Sequence, residues 1–396
     1  MTPRENSNAA NEAVEVLMSN GMEGLAGAVE VLLNAAMRIE RSHYLSAAPY
    51  ERNEERVSHA NGFKPKQLDT RLGSLQLQVP QTRDCQFYPQ ALERGMRSER
   101  ALKLALAEMY VQGVSTRKVA EITEKLCGLN VTSSQVSRAT AELDESLSAW
   151  RERPLNVYPF VFLDARYEKV RQNHEMIDCA VLVAIGVTTE GKREVLGCSV
   201  ELSEAEAHWR SFMRSLQERG LHGIKLIISD AHEGLKAARK AVWPSVKWQR
   251  CQFHLQQNAQ SYVPKQDMKR TVASRIRAIF TASDRAEAER LLQLFIRDYE
   301  KSAPKLVSWA ETALPEGLTV FSFEESLRKR LRTSNVVERL NKEILRRSRV
   351  ATMFPNEASC LRLVTAIVME ISEEWVVSRR RWLSMDKDVE MYQADN

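Results

Sequence analysis

Between Phe160 and Phe253 the sequence alternates between strand-like and helix-like periods, a pattern that neither an all-helical nor an all-β fold accommodates. The apolar runs "FVFLD" (160–164), "MIDCAVLVAIGVTT" (176–189) and "REVLGCSVEL" (193–202) are joined by short connections such as "EGK", so they are expected to pair antiparallel. A helix over 204–219, the strand "IKLIISD" (224–230), a helix over 232–242 and the strand "VKWQRCQF" (246–253) follow. That order predicts a mixed five-stranded α/β sheet whose first and fourth strands lie side by side and parallel. Each of those two strands closes on a carboxylate, Asp164 and Asp230.

Ligands of open sheets bind outside strand carboxyl ends. Two carboxylates about 4 Å apart repel by roughly 4 kcal/mol at an effective dielectric of about 20, so such a pair is either protonated or bridged by a cation. An oxygen-rich site of this kind suits Mg²⁺, which also takes phosphate oxygens. A strand-ending aspartate is commonly a helix N-cap or turn residue, so the pair alone is weak evidence.

A third acid, Glu338, comes from the helix "NVVERLNKEILRR" that begins at Asn335. Val337, Leu340 and Ile344 form its expected buried stripe, and Glu338 lies off that stripe beside Lys342 and Arg349. The spacing of Asn335 and Glu338 is also that of a capping box, which needs no chemistry. Charge favours the functional reading. Residues 326–350 carry nine Lys or Arg against two acids, a local net of +7 in a chain whose total is +5. A polyanion brought to a cation site requires such a patch, and Arg339, Lys342, Arg346 and Arg347 are its expected DNA contacts.

Upstream, residues 1–11 read as a disordered lead, and apolar residues from Val14 to Met37 recur at helical spacing, a packing face for this chain or a second protomer. Leu68, Leu75, Leu77 and Val79 alternate around "RLGS", a hairpin signature. "GVSTRKVAEITEKLCGLNVTSSQVSRATAELDESLSAW" then reads as helix, tight turn, helix, with Val119, Ile122 and Leu126 on one apolar face and Val136, Ala139 and Leu143 on the other. This is the layout of a helix-turn-helix, as well as of a plain helical hairpin. Its candidate DNA-facing residues are Arg117 and Lys118 on the first helix and Ser134, Gln135 and Arg138 on the second.

The six cysteines (85, 127, 179, 198, 251, 360) show no pairing pattern, which fits a reducing compartment. No run reaches eighteen consecutive apolar residues and the N-terminus has no apolar core of a signal peptide, so a cytoplasmic protein without membrane contact is expected.

In chain order, "FLDARYEKV", "ISDAHEGL", "RCQFH" and "TSNVVERLNKEI" resemble the Mutator-type transposases of bacterial insertion sequences, and the likeness runs from about "YERNEERVSHANGF" to "EEWVVSRRRWLS". The resemblance implies a ribonuclease-H-like catalytic domain with an Asp-Asp-Glu triad, a helical insertion before the glutamate-bearing helix, and an N-terminal region that binds element ends. Carried over by motif, the triad falls on Asp164, Asp230 and Glu338, with spacings of 66 and 108 residues. It implies Mg²⁺, with Mn²⁺ substituting, for cleavage and strand transfer on double-stranded DNA at both element ends and target. A homodimer is expected.

The family's Cys-x-x-His motif is matched by Cys251 and His254. Zinc normally takes four ligands, and no second Cys/His pair is near in sequence, so a structural role is expected. His232, two residues past Asp230, is within reach of the site, although a lone histidine at a helix start is more often structural, and the tryptophans at 209, 243 and 248 have no assigned role beyond packing. The domains expected are a helical region at 1–60 suited to oligomerisation, a β-hairpin segment at 61–95 and a helix-turn-helix domain at 96–152. A catalytic domain at 153–254 and 330–385 is interrupted by a helical insertion at 255–329, with a tail at 386–396. Two rivals keep the same residues: a nuclease without strand transfer, and a sequence-specific DNA-binding protein derived from a transposase.

Overall fold

A computed structural model describes residues 3–52, 54–84, 86–92, 97–349, 353–379 and 381–384; Cys85 and the expected tail at 386–396 lie outside them. The chain divides into two compact units, Met1–Leu143 and Asp144–Asn396.

In the first unit, α1 (Pro3–Asn20) and α2 (Leu25–Tyr44) are joined by a 3₁₀ turn at Gly21–Gly24. From Pro3 on, the expected disordered lead is instead the start of α1, and proline suits a first helical turn because its missing N–H has no partner to lose there. By length and composition the stretch Asn8–Tyr44 could cross a membrane, but the turn at Gly21–Gly24 breaks it and α2 packs Met37 on a hairpin. That hairpin is β1 (Ala60–Thr70) and β2 (Gly73–Thr82), whose Leu75, Leu77 and Val79 alternate inward as a strand's period of two requires.

Next come α3 (Arg100–Val111), α4 (Thr116–Cys127) and α5 (Ser133–Ala141), packed around Leu102, Leu106, Val119, Leu129 and Val136. The Ser115 hydroxyl accepts from Lys118 N at 3.2 Å to start α4, and Gly128, at φ 63°, ends it. Thr132 and Gln135 form a capping box at α5. Leu126, expected in the core, is 76% exposed. Thr123 fills the inner position instead, its hydroxyl satisfied by Val119 O at 2.8 Å.

The second unit begins with α6 (Asp144–Glu152), which sequence reading grouped with the helix-turn-helix. A bidentate pair from Arg362 to Asp144 (2.6 and 2.7 Å) holds it here. The sheet comprises β3 (Phe160–Gln172), β4 (Glu175–Val187), β5 (Arg193–Glu201), β6 (Leu226–Ser229) and β7 (Lys247–Arg250), in the order β5-β4-β3-β6-β7. β3–β4–β5 are antiparallel; β3, β6 and β7 are parallel.

Val161, Leu163, Leu182 and Ile227 face a core with Trp209 and Leu216 of α7 (Glu206–Glu218) and Leu235 of α8 (Glu233–Val242). After β7 come α9 (Gln252–Ala259), α10 (Met268–Phe280), α11 (Arg285–Tyr299), α12 (Pro304–Ala313) and α13 (Glu325–Leu331). They are fastened to β7 by buried amides: Gln249 and Gln252 both donate to Gly317 O at 2.8 Å, and Val320 N donates to Gln249 Oε1 at 2.7 Å. The chain then returns to the sheet as α14 (Asn335–Ser348) and α15 (Glu357–Val377).

Candidate functional site

Phe160 and Phe162 of β3 pair with Leu226 and Ile228 of β6 in parallel register. Asp164 and Asp230 each stand two residues further along, so they occupy equivalent positions on neighbouring strands and share a sheet face. Asp164 does not close its strand, contrary to expectation: β3 runs on to Gln172 because β4 still pairs with it, Asp164 opposite Val183. What ends at this point is the pairing with β6, and that opens space beside Asp164.

Across this space lies α14. Val337, Leu340 and Ile344 are buried as the stripe predicted, and Asn341, one turn beyond Glu338, donates from Nδ2 to Asp164 Oδ2 at 2.9 Å. Arg166 donates to the Asn341 backbone carbonyl, a second tie between β3 and α14. The capping-box alternative for Glu338 is not made: Ser334, not Asn335, precedes the helix, and the N-terminus has no side-chain cap.

Burial, then Asp230, and more weakly Glu338, push the Asp164 carboxyl up to about 7 against the pull of His254. The acids thus act on one another through a poorly solvated space. Two acceptor oxygens there, Glu338 Oε1 and Asn341 Oδ1, are buried with no hydrogen-bond partner among the described residues. Mutually repelling carboxylates with unsatisfied oxygens fit a divalent hard cation.

Cys251 sits at the end of β7, and its Sγ accepts from Ser334 N at 3.3 Å. Gln252 N donates to Arg332 O at 2.9 Å. These two bonds pin the approach to α14 onto β7. His254 Nε2 lies 4.0 Å from Glu338 Oε1, and Cys251, His254 and Glu338 offer ligand atoms within 4.8 Å of one another. The neighbouring Cys251 sulfur pushes His254 up to about 9 despite burial, helped by Asp164 and Asp230. Burial pushes the Cys251 thiol up, but His254 and Ser334 outweigh it and hold the thiol below its usual value.

Sequence reading missed Asn341 and Glu204. Burial raises the Glu204 carboxyl, His232 beside it at 3.7 Å lowers it, and Asp230 raises it further. Asn341 was detectable three residues after Glu338 on one helical face; Glu204, expected to open the helix over 204–219, instead lies in the connection from β5 before α7 begins at Glu206.

Of the expected DNA contacts, Arg339 and Lys342 are exposed. Arg346 is exposed but paired to Glu343 at 2.6 Å. Arg347 is corrected: 7% exposed, it bridges Glu343 and Glu370 at 3.0 and 2.6 Å, because its side chain turns toward α15. In the first unit, Arg117, Ser134 and Arg138 are exposed, Lys118 is exposed and paired to Glu121, and Gln135 is committed to the α5 cap. Trp209 and Trp243 are buried, and Trp248 donates to Ser229 Oγ at 3.0 Å. Cys127, Cys179, Cys198, Cys251 and Cys360 are free thiols.

The family described as "Transposase, Mutator family" matches residues 1–378. The transposase for insertion sequence element IS406 of Burkholderia multivorans is 56% identical over 96% of this chain and 98% of its own length. That for ISRM5 of Rhizobium meliloti is 39% identical, covering 98% and 96%. That for IS256 in transposon Tn4001 of Staphylococcus aureus is 38% identical, covering 90% and 92%. Among solved structures, a Mos1 transposase paired-end complex with left transposon end is similar at 11% identity over 57% of this chain and 81% of the other, with a TM-score of 0.16 that bears no weight.

Proposed function

We propose, for a chain that belongs to the Mutator family of transposases, that Asp164, Asp230 and Glu338 are the Asp-Asp-Glu triad of a centre that cuts the ends of its insertion element and joins them to target DNA. The observation that carries this reading is the convergence of β3, β6 and α14 on one poorly solvated space, where Asp164 is raised by burial and then by its acidic neighbours, and Glu338 Oε1 has no hydrogen-bond partner among the described residues. A ribonuclease-H-like assignment of the sheet is supported by its order, three antiparallel strands followed by two parallel ones on the far side of β3.

The three carboxylates would hold Mg²⁺, or Mn²⁺ in its place; bound there, such ions supply activation of the attacking oxygen and neutralisation of the leaving one. The chain's own residues do the positioning. The sheet fixes both aspartates, Asn341 orients Asp164, and Cys251 with Gln252 fixes where α14 begins and hence where Glu338 lies. Exposed Arg339 and Lys342 on α14 would contact DNA phosphates near the acids, and the α4–α5 pair would read element ends through Arg138 and Ser134. A homodimer acting on chromosomal DNA in the bacterial cytoplasm accords with two element ends per reaction.

The test uses a duplex carrying the element end with supercoiled target DNA. Wild-type protein in Mg²⁺ should give cut ends and joined products; Asp164→Asn and Asp230→Asn should bind the end and give neither. Cutting without joining at any target concentration would favour the nuclease reading.

A further inference from the structure

A cleft of about 180 Å³ opens between α9, α10 and the start of α14, lined by Gln252, Phe253, Arg277, Phe280, Arg332 and Asn335 among others. We propose that it receives one unpaired nucleotide of the DNA strand being cut, its base against Phe253 and its phosphate between Arg277 and Arg332. This deepens the proposed function and rests on it.

Three observations carry the assignment. The first is chemical. Neither Arg277 nor Arg332 has a side-chain hydrogen bond or ion pair among the described residues, whereas Arg275 pairs with Asp298 at 3.2 Å and Arg328 donates to two carbonyls at 2.8 Å. Two unpaired guanidiniums on one cleft match a phosphate, which arginine binds in bidentate fashion.

The second is the exposed aromatic. Phe253 is 47% exposed although its helix is fastened to β7 and α14, and its ring meets that of His254 only edge-on, at 5.6 Å. An aromatic face in an arginine-lined cleft is a stacking platform for any base. The volume suits one base and not a base pair, so the nucleotide must leave the duplex stack to enter.

The third is position. Asn335 and Glu338 are one turn apart on α14, hence neighbours on its surface, and Phe253 directly precedes His254, which faces Glu338 at 4.0 Å. The start of α14 has no side-chain cap, which leaves its first N–H groups for an anion. A strand whose scissile phosphate lies at the acids therefore passes this cleft within a nucleotide or so, and drawing one base out would fix the phosphate for in-line attack.

The experiment uses the full chain and an element-end duplex with 2-aminopurine placed in turn at each nucleotide flanking the cut, in Ca²⁺ so that no cleavage occurs. One position should brighten by about threefold or more with wild-type protein, as an unstacked base does. Phe253→Ala should lose that signal and cut at least about tenfold more slowly while binding the end within about threefold, because stacking on an aromatic is worth about 1–3 kcal/mol per base. An abasic site at the brightened position should restore cutting by Phe253→Ala, since no base then has to be extracted; a merely structural defect would not be rescued. Arg277→Ala should slow cutting and reduce the salt slope of end binding by about one. A flat wild-type signal at every position, normal cutting by Phe253→Ala, or no abasic rescue would each overturn the proposal. The fluorescence reading in Ca²⁺ needs no catalysis, so it decides the cleft independently of whether Asp164, Asp230 and Glu338 prove to be the triad.

Discussion

Asn341 on α14 donates to Asp164 on β3 across 2.9 Å, and this bond joins the helix that carries one acid to the strand that carries another. Its value lies in geometry. Glu338 and Asn341 share a helical face, so any movement of α14 that shifts Glu338 also breaks the contact with Asp164.

Asn341→Ala should slow DNA cleavage by about 10- to 100-fold, the loss of a hydrogen bond to a charged group being worth about 1.5–3 kcal/mol. End binding should change little, because the side chain faces the acids and not the exposed basic residues. Measuring cleavage rate and end affinity on the same preparation checks this, and cleavage within twofold of wild type would remove Asn341 from the site.

The two arginines that sequence reading treated alike should behave oppositely. Arg138, exposed on α5, is expected to contact bases; Arg138→Ala should weaken binding to the element end by about 1–3 kcal/mol and to random DNA by less. Equal losses on both would make it a phosphate contact. Arg347→Ala should leave the ratio of specific to random binding alone and lower stability by about 1.5–3 kcal/mol, since it removes the charged hydrogen bonds to Glu343 and Glu370 that join α14 to α15. The ion pairs also give a pH signature. Arg346 holds the Glu343 carboxyl down near 2, with Arg347 assisting against burial. Its contribution is therefore present above about pH 4.5, its ordinary value, and is lost as pH falls toward 2. Arg347→Ala should show a shallower fall in melting temperature over that interval.

Sequence reading went furthest where a period was repeated and failed where one side chain chose between neighbours. The sheet order followed from three closely joined apolar runs and two later strands, and observed pairing agrees. The end of β3 did not follow, because "DARYEKV" is polar enough to resemble a turn while β4 continues to pair with it through Gln172. Arg346 and Arg347 are adjacent in sequence but differ by about 100° around the helix, so one faces solvent and the other α15. Cys251 and His254 looked incomplete as a ligand set because their nearest third donor, Glu338, is 84 residues beyond His254 in the chain and arrives only through the fold.

That third donor makes the zinc question sharp. Cys251 accepts from Ser334 N and positions the start of α14, so we expect purified protein to contain no stoichiometric zinc. Cys251→Ser, which keeps an acceptor, should retain most of the melting temperature, and Cys251→Ala should lose about 1–3 kcal/mol through the unsatisfied N–H. Elemental analysis finding one zinc per chain that disappears in Cys251→Ser would overturn this structural role.

Glu338 bears the decisive test. If it belongs to the triad, Glu338→Gln removes the charge that holds a cation while keeping size, and it should abolish cleavage and joining while end binding in Ca²⁺ or EDTA persists. Binding could tighten slightly, because one acid fewer faces the phosphates. Glutamine serves a capping box as well as glutamate does, so a capping role predicts near-normal stability and near-normal cleavage. The uncapped start of α14 and the lack of any hydrogen bond to Glu338 Oε1 among the described residues already weigh against capping. Stability gives a second discriminating readout: Glu338 is part of the repulsion that raises Asp164, so neutralising it should leave the melting temperature unchanged or raise it slightly, whereas a residue that held the helix together would lower it. An inactive, folded, DNA-binding Glu338→Gln places this residue among the reacting groups, and near-normal cleavage in Mg²⁺ removes it from them.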